Sequence, residues 1–84
     1  MYYVYVLYSD SHGKFYVGMS QNLEKRLVAH NSGKAKFTKG LRPWRLVYSE
    51  FVGARIDARK RELFLKSGQG RDFIKKTVDI YQDT

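Results

Sequence analysis

Eighty-four residues with a formal charge of +8 and a pI near 9.9 make one small basic domain; no apolar run approaches the roughly 18 residues a membrane span needs. The chain has no cysteine, which excludes disulfides and thiolate metal sites and fits a cytoplasmic protein. A chain this short buries only about 60–65% of its unfolded surface, so its core is small.

Residues 2–9 are rich in tyrosine and valine and read as a strand, not a secretory leader. Apolar side chains fall on both its faces, as in a strand covered on both sides. Asp10, Ser11, His12 and Gly13 form a turn signal, and residues 14–19 read as a second strand. The short connection predicts an antiparallel hairpin. Any register pairing an odd with an even position puts Tyr5 and Tyr16 on one face, about 5–8 Å apart. Ser20, Gln21 and Asn22 offer N-caps for a helix to about Asn31, with Leu23 and Leu27 as its buried stripe and Gly33 as a left-handed stop. Arg26 and His30, four apart, share one edge of that helix beside the stripe.

Between Glu24 and Glu50 there is no acid, while Lys25, Arg26, Lys34, Lys36, Lys39, Arg42 and Arg45 all fall there. Such a field attracts polyanions; the plainer alternative is a solvated surface. Lys34 to Pro43 is a lysine-rich loop holding Phe37 and ending at Trp44. Lys34, Lys36, Phe37, Lys39 and Arg42 are the candidate nucleic-acid contacts, because cations hold phosphates and a ring stacks on a base. For Phe37, packing on the core is an equal alternative; Trp44 reads as a residue pinning the loop. Residues 44–51 form a third strand. A second helix starts at Gly53-Ala54 and runs to about Lys66; Leu63, Phe64 and Leu65 point in different directions, which predicts burial on more than one side. A third helix covers roughly 70–78, and 79–84 read as a loosely held tail.

Glu62 projects from the same side of its helix as Ala58 and Leu65. A carboxylate on a partly apolar face needs a partner. A divalent cation, often held by one or two carboxylates plus substrate phosphate, is one. An ion pair with Arg26, Arg59 or another base is the other. Two phenols, a guanidinium and an imidazole together suit phosphate chemistry: a fixed cation, a proton-passing group and hydroxyls that position water.

The order Tyr3-Val4-Tyr5, Tyr16-Val17-Gly18, Arg26, His30 and Glu62 resembles the GIY-YIG endonuclease superfamily, and the small stand-alone bacterial members most of all. The segments 38–44 and 62–68 resemble those members too. The resemblance covers Tyr2 to about Thr77. It implies an α+β fold, a three-stranded antiparallel sheet flanked by helices in the order β-β-α-β-α-α. It also implies metal-dependent cleavage of nucleic acid, with Tyr5, Tyr16, Arg26 and His30 catalytic and Glu62 holding Mg2+ or Mn2+. Gly18 matches the closing glycine, whose missing side chain would let the helix or substrate approach the strand. Three residues depart from the motif: Tyr3 stands for its opening glycine, and Val4 and Val17 for its isoleucines. Many members also carry an asparagine after the glutamate; here only Asn22 and Asn31 occur, both upstream, and Gln69 or Asp72 are the possible substitutes.

The expected activity is one-metal hydrolysis of DNA more than RNA, structure-selective or non-specific because no zinc-finger or helix-turn-helix pattern is present. Recruitment by a protein partner that supplies specificity is the alternative. Arg26 and the metal are expected to lower a tyrosine pKa from its usual value near 10. The rival expectation is a catalytically weak or inactive module that binds DNA or RNA through its charge.

Overall fold

The computed structural model describes residues 1–78; the tail reading for 79–84 lies outside them. β1 (Tyr2–Ser9) is the middle strand of an antiparallel sheet, flanked by β2 (Lys14–Ser20) and β3 (Trp44–Gly53) in the order β2-β1-β3. Val4, Tyr5, Val6 and Leu7 are all at most 2% exposed, which requires cover on both faces. The alternation of a strand divides them. Val4 and Val6 join Val17, Ala58, Leu65 and Ile74 in an aliphatic core on one face. Tyr5 and Leu7 join Trp44, Tyr16, Leu23 and Leu27 on the other.

The hairpin closes through Gly13, whose N–H donates to Ser9 O at 2.8 Å and whose φ of +62° lies in the region glycine favours. Its register sets Tyr5 opposite Gly18 and Leu7 opposite Tyr16. Tyr5 and Tyr16 are therefore diagonal neighbours on one face, with ring centroids 6.3 Å apart.

Helix α1 (Leu23–Ser32) starts where Asn22 Oδ1 accepts the Lys25 N–H at 3.0 Å and stops at Gly33, φ +86°. It covers the tyrosine face through Leu23 and Leu27. The following loop ends in a single 3-10 turn at Lys39–Leu41, tied down where the buried Ser9 hydroxyl donates to Leu41 O at 2.7 Å.

Helices α2 (Arg55–Lys66) and α3 (Gly68–Thr77) cover the aliphatic face. The predicted burial of α2 on several sides is not what forms. α2 buries one stripe, Ala58, Glu62 and Leu65, while Leu63 is 52% and Ile56 67% exposed. The sheet takes one side of the helix, and α3 starts too abruptly to wrap the other. Ser67 makes that abrupt start: its N–H donates to Phe64 O, and its Oγ accepts the Gly70 N–H to cap α3. α3 therefore begins two residues before the predicted Gly70. Arg61 ties the layers together, donating from Nε to Glu50 Oε1 at 2.9 Å and lying over the Phe64 and Phe73 rings. No helix of the described residues is long and apolar enough to cross a membrane.

Candidate active site

The tyrosine face of the sheet carries a chain of polar contacts inside an otherwise apolar contact layer. α1 brings Arg26 and His30 over β1 and β2. The Tyr5 hydroxyl lies 3.1 Å from His30 Nε2 and accepts a long hydrogen bond, 3.5 Å, from Arg26 Nε. The Tyr16 ring packs on the imidazole with centroids 4.8 Å apart. Tyr5 and Tyr16 both face the Arg26 guanidinium, and the Tyr5 contact chiefly raises its already high pKa.

The contacts accommodate one histidine tautomer in which every proton has a place. With the Thr38 hydroxyl donating to Ala35 O at 3.3 Å, it accepts from His30, whose Nδ1 lies 2.7 Å away. In that arrangement Nδ1 carries the proton, Nε2 keeps its lone pair, and the Tyr5 O–H donates to Nε2. His30 is fully buried, and burial first, then the Arg26 charge, lowers its pKa to about 4. It is neutral at pH 7. The sequence placed His30 at a helix edge; the loop folding back over it through Thr38 is what removes it from solvent.

Tyr5 corrects a second expectation. Arg26 does pull this phenol toward ionisation, but burial outweighs it and the net direction is upward. Tyr5 is therefore a neutral hydroxyl at pH 7. Tyr16 is partly exposed, so of the two it is the phenol that solvent can reach.

Gly18 is required for a reason different from the one expected. A Cβ there would lie 2.5 Å from the Tyr5 hydroxyl oxygen and 2.7 Å from the ring carbon bearing it. The space is taken by the Tyr5 phenol crossing the strand, not by the helix or a substrate. Glycine at 18 thus makes room for the hydroxyl that meets Arg26 and His30.

Glu62 is not part of this hydrogen-bonded group. It projects from α2 on the aliphatic face, 7% exposed. Arg59 Nη1 contacts its Oε1 at 2.6 Å and Lys66 Nζ its Oε2 at 3.4 Å. The ion pair foreseen for Glu62 forms, with Arg59 and Lys66 and not with Arg26. Glu62 nonetheless lies near enough for its charge to help raise the Tyr5 pKa, as the last-ranked cause. An opening of about 450 Å3 beside it is lined by Tyr2, Met19, Arg55 and Arg59. Among the described residues no three His, Cys, Asp or Glu side chains gather into a metal cluster.

Lys34, Lys36, Phe37, Lys39 and Arg42 all lie exposed on the loop after α1. Phe37 is 90% exposed, so the packing alternative for it fails. Trp44 does pin the loop, 4% exposed with its indole N–H donating to Thr38 O at 2.8 Å. Arg42 is partly engaged, donating from Nε to Lys39 O at 2.7 Å.

Two residues at the site went unassigned in the sequence. Thr38 holds His30, and Asn31 clamps the Trp44 backbone, accepting its N–H at 2.6 Å and donating to its C=O at 2.9 Å. Thr38 fell inside the segment that resembled small GIY-YIG members, but nothing local tied it to His30. Asn31 is thereby committed to structure and Asn22 to capping; Gln69 and Asp72 sit exposed on α3.

Comparison with known proteins gives the same assignment from another direction. The GIY-YIG catalytic domain model matches residues 1–76. A UPF0213 protein of Clostridium perfringens is 45% identical over 67 residues, 79% of this chain and 71% of that one. One from Syntrophus aciditrophicus is 47% identical over 66 residues, covering 76% and 75%. The solution structure of the UPF0213 protein of Bacillus halodurans, 30% identical, superposes with a TM-score of 0.57 over 99% of this chain and 93% of that one. The chain belongs to the GIY-YIG catalytic-domain family, a family of nucleases, and to its small UPF0213-like bacterial members.

Proposed function

We propose that this protein is a divalent-metal-dependent endonuclease that hydrolyses phosphodiester bonds, in DNA more readily than in RNA. The observation that carries this reading is the convergence of Tyr5, Tyr16 and His30 on the guanidinium of Arg26, beside an exposed basic loop.

The metal requires a test against the donor set. Glu62 offers one carboxylate, and both its bases come from its own helix with side chains 58% and 46% exposed. The two bases can swing out to solvent, whereas the nearly buried carboxylate gives up a cation only in exchange for another. The set therefore fits an ion that takes a single protein carboxylate and fills its other places from water and substrate phosphate. It does not fit a resident centre built from protein ligands alone. Held by Glu62, Mg2+ or Mn2+ would supply Lewis-acid neutralisation of charge on the scissile phosphate and the leaving oxygen.

The chain's own side chains do the rest. Arg26 grips a non-bridging phosphate oxygen through charge-assisted hydrogen bonds from the donors it does not give to Tyr5. Tyr16, the reachable phenol, orients the attacking water through its oxygen; as the phenolate, with its own proton released to solvent, it takes the proton of the water. Tyr5 and His30 lie beneath. Neutral His30 accepts a hydrogen bond from the Tyr5 O–H and so turns the Tyr5 oxygen lone pairs toward the guanidinium of Arg26. The loop cations and Phe37 position the strand without reading its bases.

A second reading, a binding module with little catalysis, is favoured by one observation: both Glu62 oxygens already face cations. A panel of duplex, flapped, branched and single-stranded DNA and RNA, with and without Mg2+ or Mn2+, separates the two. Metal-dependent products that fall about 10²–10⁴-fold in Tyr16→Phe, and about 10²–10³-fold in Arg26→Ala and Glu62→Ala, are expected. Binding without metal-dependent products, or undiminished cutting by Glu62→Ala, rejects the proposal.

A further inference from the structure

On the aliphatic side of the sheet, the free edge of β2 and the α2–α3 pair enclose an open groove of about 620 Å3. Its rim carries Lys14 from β2, Lys66 from α2 and Arg71 and Lys75 from α3, and no acid lines it. All four are exposed, and Lys14, Arg71 and Lys75 make no ion pair among the described residues. Converging like charges repel one another, a cost that a bound polyanion removes. We infer that this groove holds the phosphate backbone of a nucleic-acid strand flanking the scissile ester, a second phosphate track separate from the Lys34–Arg42 loop. The inference rests on the nuclease reading above.

Three features support that occupant. The groove adjoins the candidate active site, because Tyr16 lines it while its ring packs on His30. The loop belongs to the α1 face and the groove to the α2–α3 face, so the sheet lies between the two cationic surfaces and a strand held by both passes around its free β2 edge. The groove's floor is Val17, Leu65 and Ile74, at 7%, 0% and 2% exposure. A sealed floor gives a peptide no pocket for anchoring side chains, whereas a phosphate chain needs only the rim charges.

Lys66 links this track to Glu62. It lines the groove and reaches Glu62 Oε2 at 3.4 Å. A phosphate in the groove competes for that ammonium and uncovers the carboxylate oxygen.

The test measures binding in EDTA, so that no cutting is needed. The probes are labelled 20-nucleotide single strands and duplexes of DNA and RNA, titrated across salt. In Lys14→Gln/Arg71→Gln/Lys75→Gln the salt slope is expected to fall by about 2 to 3, with binding about 10²-fold weaker at 0.1 M salt. The control Lys25→Gln/Lys60→Gln, which removes charge elsewhere, is expected to change the slope by less than about 1. Amide NMR shifts on adding single-stranded DNA to the unmutated protein need no variant, and are expected across residues 13–17 and 66–75. An unchanged slope, an equal per-charge loss in the control, shifts confined to other segments, or equal binding of poly-glutamate each overturns the inference. If groove-dependent binding is seen but no metal produces cleavage, the nuclease reading falls and the groove stands.

Discussion

The two faces of the sheet are built from alternate residues of the same strands yet are chemically unlike. On the α2–α3 face, β1 and β2 contribute Val4, Val6 and Val17, which meet Ala58, Leu65 and Ile74. On the α1 face the residues next in sequence, Tyr5, Leu7 and Tyr16, meet a buried histidine, a threonine and a tryptophan in a connected set of hydrogen bonds. One face supplies transferable apolar burial. The other spends part of its interior on groups that must all be satisfied, and no buried side-chain polar atom among the described residues is left unpaired. A strand with period two lets a small chain separate stability from chemistry. Substitutions on the aliphatic face should therefore cost stability alone, and a change at a solvent-reachable group of the other face should cost chemistry with little stability.

The largest stability effect should come from the aliphatic face. Leu65 is fully buried, and Leu65→Ala should cost about 2–5 kcal/mol in urea unfolding, enough to unfold much of a domain this small. Tyr16→Phe removes only a hydroxyl from a partly exposed ring and should shift stability by less than about 1 kcal/mol while cutting cleavage about 10²–10⁴-fold. Comparable destabilisation by the two would show that the faces are not separable in this way.

What the sequence disclosed follows the same division. Covering β1 on both sides was visible because Val4 through Leu7 are apolar without interruption. The nearness of Tyr5 and Tyr16 needed only register parity, and the caps Asn22 and Gly33 needed only local chemistry. The facts that escaped were non-local. A helical period places His30 near the sheet but cannot reveal that a loop residue eight positions on will seal it. Gly18 looked like an approach for something outside the strand, because a neighbouring tyrosine ring crossing it depends on that side chain's direction. Glu62 was undecidable: bases at three before and four after it satisfy an ion pair, and a carboxylate on an inner stripe equally suits a cation.

The proton balance of His30 offers a smaller test of the chemical face. Its folded pKa of about 4 lies below the unfolded value of about 6.5, so the unfolded chain binds more protons between those limits. The stability from keeping it neutral is complete above about pH 6.5 and is lost as pH falls toward 4, on the order of 3 kcal/mol in all. The groups facing the ring are the Tyr5 and Thr38 hydroxyls, the Tyr16 ring and the Arg26 cation, and none is a carboxylate that would hold the charged form. Urea unfolding at pH 7.5 and 4.0 should show the wild type losing about 3 kcal/mol more than His30→Gln. Parallel losses would mean that the imidazole takes up its proton alike in both states.

An effect smaller than that of His30 isolates Thr38. Its backbone carbonyl holds the Trp44 indole, while its side chain holds His30, so the two roles can be cut apart. Thr38→Val keeps the shape and the loop anchor but leaves the Nδ1 proton in a dry site without an acceptor, at a cost of about 1–3 kcal/mol. Thr38→Ser restores the hydroxyl and most of that loss. If Thr38 positions the imidazole, the valine variant also moves the proton between the ring nitrogens, readable in the imidazole 15N shifts, and lowers kcat more than it raises KM. A valine variant that loses stability with its 15N shifts and kcat unchanged would reduce Thr38 to packing and leave the Tyr5–His30 contact to hold its own orientation.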